Sequence, residues 1–169
     1  MNLTITTRGM DAIQRGFAAA PKETLRLLLA AMTQATKLVE REVTERMPRG
    51  ATGLTVGSIS SDAFSTSAGV LGVVGSSQPS AVFVELGTKP HMPPVAALVP
   101  WVQAVLGVNA KDAPGVAFLI ARKIAIKGTE AKHPFENALI ATQSQVIGMF
   151  ETAADQIATV LAGRPGAAL

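Results

Sequence analysis

Two imidazoles stand in this chain, His91 and His133, separated by 42 positions. Neither falls in an HExxH or HxH spacing, the patterns that put two ring nitrogens on one face toward a metal. A site built from the pair with Asp112 or Glu136 is the metal-dependent alternative, for a small hydrolase or nuclease. Both histidines lie in proline-rich junctions, His91-Met92-Pro93-Pro94 and His133-Pro134-Phe135, and read as turn residues ahead of helix starts. Glu85 is the one acid inside an apolar run, Val84-Glu85-Leu86, and an acid so placed needs a hydrogen-bonded partner or an interface. As a general base it would need a second group, and none stands out. No serine sits in GxSxG, and no aspartate is set to orient a histidine. No GxGxxG or GxxxxGK[ST] run is present; Gly69, Gly72 and Gly75 fall in a valine-rich, strand-like stretch. The absence of cysteine excludes thiol enzymes, disulfide scaffolds and cysteine-ligated zinc. The expectation is a protein that is not an enzyme and holds no cofactor or metal.

Charge singles out one segment. Between Lys89 and Lys132 there are six basic residues against two acidic, while the rest of the chain holds nine basic and ten acidic. The whole excess of +3 therefore sits in the middle, with Arg122, Lys123 and Lys127 as its densest group. Such a patch can face phosphates, an acidic protein partner, or only solvent. No module for base readout is recognisable, and no tyrosine with one tryptophan makes a poor stacking platform for single strands.

The elements that must position these residues follow from periodicity. At 169 residues the chain fits one domain with a core of its own. Aromatics make up only 4 %, so that core is expected to be Ala, Val, Leu and Ile. Residues 2–7 alternate as a short strand or extended arm, and a helix over 11–19 with Asp11 as N-cap is expected to stop at Pro21. Leu25, Leu28, Leu29, Met32, Ala35, Val39 and Val43 predict a long helix over 22–47, ended by Pro48 and Gly50. Two strands are expected at 53–64 and 69–75 around a polar turn at 65–68, with a bulge near Gly57 where the apolar parity changes. Val70, Leu71, Val73 and Val74 predict a second strand covered on both faces. Residues 81–84 fit a strand or a short helix.

Helices return after Pro90. One is expected over 95–106, with Pro100 a possible kink, and one over 114–127 on Val116, Phe118, Leu119, Ile120 and Ile124, closed by Gly128. Pro134 opens a last helix to about residue 162 on Phe135, Leu139, Thr142, Val146, Met149, Ala153, Ile157 and Val160, with residues 163–166 closing it. The fold class is α+β: a small antiparallel sheet packed against long N- and C-terminal helices, with a two-helix insertion at 89–132. The beginning of the chain lacks a basic segment followed by an apolar run, and no apolar stretch approaches the roughly 20 residues of a membrane span. A soluble protein without a signal peptide is expected.

Three short motifs resemble one family. Thr52-Gly53 followed by Ser58-Ile59 is similar to the strand entry of the tail-completion and head–tail joining proteins of long-tailed phages. Residues 81–88, ending in Glu85-Leu86-Gly87-Thr88, resemble that family's YAxYVEFGT signature, and His133-Pro134-Phe135 resembles its closing HPFxxxA. The order of elements matches over roughly residues 25–160. The family's tyrosine positions carry Ala and Phe here, Leu54 stands one place before the usual leucine, and the helical insertion replaces a short loop. The resemblance implies a structural virion protein of the neck, made in the host cytoplasm and acting by assembly. Its implied partners are copies of itself in a ring and other neck and tail proteins, with no membrane; Arg122, Lys123 and Lys127 are expected to line either a channel passed by DNA, with non-specific contact, or an acidic partner ring. A tail terminator capping the tube is the near alternative, and a host-acting prophage protein a distant one. The Glu85–Thr88 turn is expected to fix a sheet–helix junction, with Gly87 at positive φ and Thr88 capping through its hydroxyl.

Overall fold

The computed structural model describes residues 10–67 and 69–162, with side chains from residue 21 onward. Along the chain run α1 (Met10–Arg46), α2 (Leu54–Gly57), β1 (Ile59–Thr66), β2 (Gly69–Ser76), α3 (Ser80–Leu86), α4 (Val95–Leu106), α5 (Ala113–Lys127) and α6 (Pro134–Leu161). The strands form a two-stranded antiparallel sheet, and the fold is α+β with long first and last helices. The expected strand at residues 2–7, the turn position 68 and the closing segment 163–166 lie outside the described residues.

Several expectations are corrected. Pro21 does not stop a helix; α1 runs through it unbroken. A proline removes one backbone bond and crowds one turn, at about 3 kcal/mol, which a helix of 37 residues can absorb. The first strand does not begin at residue 53. Gly53 has φ of 68°, residues 54–57 make a single helical turn, and Ser58 N–H bonds back to the Leu54 carbonyl at 3.0 Å. The change of apolar parity between Val56 and Ile59 is thus one turn of helix, not a bulge, and brings both residues into the same core. Residues 80–86 are helical, which settles the open choice there. Pro100 lies inside α4, past its first turn, and Pro94 is the residue preceding that helix.

Two compact units divide the described chain. One comprises α1 up to Leu38, Ser61–Val73 and α6 from Thr142 onward; the other comprises Val39–Ser60 and Val74–Ala141. In the first, Ala31, Ala35, Thr36, Thr142 and Ala153 are buried. A side chain at Gly72 would collide with Thr36 and with the Met32 sulfur at 2.6 Å, so β2 lies directly on α1 there. The strand is covered on that face only. Leu71 and Val73, on the opposite face, are about half exposed, contrary to the expectation of two covered faces. A two-stranded sheet has no third layer to cover them.

The second unit holds two cores. Val43, Met47, Ile59, Ala81 and Ala138 form one, with Val39, Val56, Val74, Val84 and Phe135 packed against it. Val102, Ala113 and Ala117 form the other, flanked by Leu98, Val99, Trp101, Val116 and Ile120 within the α4–α5 hairpin. The buried positions of α5 are Ala113, Ala117 and Ala121, while Phe118 and Leu119 of the expected stripe face outward, as does Leu139 of α6. Alanine at every fourth position lets a neighbouring backbone approach closely and leaves the larger side chains on the far side. No leucine is fully buried among the described residues.

Val102 is fully buried at the centre of the hairpin core. Val102→Ala should cost about 2 kcal/mol from lost transfer energy and the cavity left behind. Thermal unfolding should fall by roughly 4–8 °C. Val105→Ala, on the exposed side of the same helix, should stay within about 0.5 kcal/mol of the parent.

Candidate functional site

The motif residues around Glu85 converge at the start of α6. Its first residue, Pro134, is fully buried and has no N–H to satisfy, which suits the first helical position. The next two amides, of Phe135 and Glu136, donate to the Glu85 carboxylate oxygens at 2.8 and 3.1 Å. The fourth amide, of Asn137, donates to the His133 carbonyl at 2.9 Å. Every orphan donor of this helix end is therefore paired, and the cap comes from a carboxylate about fifty residues earlier in the chain. A negative charge is also favoured there by the helix dipole. His133 itself has φ of 50°, an uncommon conformation outside glycine, and its Nδ1 lies 3.0 Å from Glu136 Oε2.

A second set of bonds ties the same two segments. Lys132 N–H donates to the Val84 carbonyl at 2.9 Å. Thr88 and Thr129 form an isolated antiparallel bridge, each amide donating to the other's carbonyl at 3.0 and 3.2 Å, with the hydroxyls 2.9 Å apart. Thr88 does not cap a helix as expected, because no helix begins beside it; it clasps the two ends of the insertion that carries α4 and α5. Gly87 and Gly128 precede the paired threonines, with φ of 69° and 71°. A Cβ at Gly87 would stand 2.5 Å from the Thr129 carbonyl, and one at Gly128 would strike the Thr88 carbonyl. Backbone meets backbone at the crossing, and only glycine leaves room for it.

The remaining motif residues are structural too. Ile59 lies in the core with Phe135 and Val84. Ser58 Oγ lies 2.6 Å from Ser76 Oγ and donates to the Thr55 carbonyl, closing the turn at the head of β1. Gly53 sets that turn, and the exposed Thr52 hydroxyl accepts a long bond from Leu54 N–H at 3.4 Å.

Glu85, His133 and Glu136 offer ligand atoms within 4.8 Å of one another, the metal-capable group found among the described residues. Both oxygens of Glu85 accept from backbone amides, and His133 lies at hydrogen-bond distance from Glu136, so capping and a side-chain contact account for the closeness of the three groups. His91 and Asp112 are not in it: His91 Nδ1 lies 2.9 Å from the Lys89 carbonyl, and Asp112 accepts from Asn109 at 2.8 Å. The pairing of His91 with His133 as metal ligands is not assembled. Arg122, Lys123 and Lys127 do come together, lining a shallow open depression on α5 with Leu119 and Ile126. In the first unit an open groove runs between α1 and α6, where a hydrogen bond from Arg26 lowers the Glu23 carboxyl below its ordinary pKa. The pair is solvent-exposed.

Two features escaped the sequence reading. Thr129 is the partner of Thr88, and the repeated dipeptide Gly87-Thr88 and Gly128-Thr129 was a visible signal for it. The outward face of α3, with Val82, Phe83 and Leu86 at 55, 57 and 69 % exposure, had no signal, since an apolar run does not say which side is covered. Removing the cap should be costly: Glu85→Ala strands two amides and should lower stability by about 2–3 kcal/mol, or roughly 5–10 °C in thermal unfolding. Glu85→Gln, which keeps one acceptor oxygen, should lose about half as much. No family model, curated protein or solved structure matches this chain.

Proposed function

We propose that this chain is a structural subunit of the phage neck that joins or completes the tail at the head–tail interface, working by assembly and not by catalysis. The observation that carries the reading is the amount of large apolar side chain facing outward on elements that are themselves firmly held. Val82, Phe83 and Leu86 project from α3 beside the Glu85 cap, and Leu71 and Val73 project from β2. A free-standing monomer of this size rarely leaves such surface open, whereas a subunit with neighbours covers it.

The motif residues agree with that role. Glu85, Gly87, Thr88, His133, Pro134 and Phe135 are engaged in holding one segment of chain against another. Residues so committed stabilise a scaffold. Among the described residues no helix is long and apolar enough to cross a membrane.

Electron microscopy of lysate from the parent phage with this gene interrupted tests the reading. Filled heads lying beside free tails are expected. Tails of abnormal length would move the assignment to the terminator, and intact, normally joined particles would sink it.

A further inference from the structure

Helices α5 and α6 carry opposite charge. Between Ala113 and Lys127 there are three cations, Arg122, Lys123 and Lys127, and no acid. Between Pro134 and Leu161 there are three acids, Glu136, Glu151 and Asp155, and no lysine or arginine. None of the α5 cations, and neither Glu151 nor Asp155, makes an ion pair with the described residues.

Each helix also presents an exposed apolar stripe within its charged side. On α5 the stripe is Leu119 and Ile126, at 62 and 65 % exposure, with Phe118 beside them. On α6 it is Ile140 and Ile147, at 64 and 49 %, with Leu139 beside them. The spacing is the same: seven residues separate Leu119 from Ile126 and seven separate Ile140 from Ile147. Two turns of helix place each pair about 10.5 Å apart along its axis, so the stripes can be laid in register.

We infer that the basic, apolar face of α5 in one copy of the chain docks on the acidic, apolar face of α6 in the next. The inference rests on the reading of the chain as an assembly subunit and names the surface that joins its copies. Because the two faces differ, the contact is heterologous and leaves one free face at each end, so it repeats, and closes into a ring where its rotation permits. Apolar burial supplies the attraction, while the opposed charges select the partner face and reject α5 against α5.

Sedimentation of the purified full-length chain across a concentration series, at low and high salt, is the test. The wild type should associate with increasing concentration, and more weakly at high salt. Arg122→Glu/Lys123→Glu/Lys127→Glu should raise the apparent dissociation constant on the order of 100-fold by setting acid against acid. Glu136→Lys/Glu151→Lys should do the same from the other side. Circular dichroism establishes that each variant is folded; should the second fail, Ile147→Lys/Glu151→Lys spares Glu136 and its His133 contact. An equimolar mixture of an acidic-α5 and a basic-α6 variant should recover association, since every contact in an alternating assembly is again between opposite charges. A wild type that stays monomeric throughout, a charge reversal without effect, or a mixture that fails to recover would each overturn the contact. So would a monomeric wild type that binds duplex DNA through the three cations, which would assign the patch to phosphates. Association through these helices with normally joined particles in the interrupted-gene lysate would remove only the neck assignment.

Discussion

A single carboxylate at the head of a helix organises the second unit of this protein. Glu85 leaves the end of α3 and takes the two free amides of α6, and in doing so fixes where the last helix begins. Each charge-assisted bond of this kind contributes about 1.5–3 kcal/mol, a large share of the margin by which a small domain is stable. Phe135 and Ala138 enter the core beside Val84 and Ala81 because that junction is set, and Ile59, Val43 and Met47 close on them. The Thr88–Thr129 bridge adds a second lock on the same pair of segments and brings the ends of the α4–α5 hairpin together.

Rigidity at that junction has a consequence for the surface. Alanines fill the buried positions of α5, and small residues recur at the buried sites of α1 and α6, so the close approaches use small side chains. Among the described residues, the leucines, the phenylalanines and every isoleucine but Ile59 are then left half-buried or turned outward. An ordinary monomer arranges these residues the other way round. Apolar surface on a held scaffold can bind without first paying the cost of ordering a loop, which supports the proposal of an assembly subunit.

Much of the fold was legible because long helices declare themselves. The stripes of α1 and α6, the glycines ending α4 and α5 and the proline opening α6 all report on backbone geometry local to a few residues. Misreadings occurred where local pattern was ambiguous. A helical turn and a strand with a bulge both move an apolar residue by three positions, so Val56 to Ile59 could be read either way. Pro21 signals a break by local rules, but one lost backbone bond does not end a helix continuous on both sides. Glu85 was legible as an acid needing a partner; that the partners were amides of the His133-Pro134-Phe135 segment was not, since fifty residues of chain lie between.

By itself the sequence determined the α+β class, the order of long helices around a small hairpin, the location of the positive excess and the absence of cysteine chemistry. These are matters of composition and of periodicities that each segment carries alone. Tertiary structure decided which apolar residues are covered, that Glu85 caps the start of α6, that His91 and His133 belong to separate surroundings, and that Thr88 pairs with Thr129. It also decided that the cations of α5 and the acids of α6 both stand on exposed apolar faces. Periodicity marks a face but not its neighbour, and the partner of a polar group is set by the packing of distant segments.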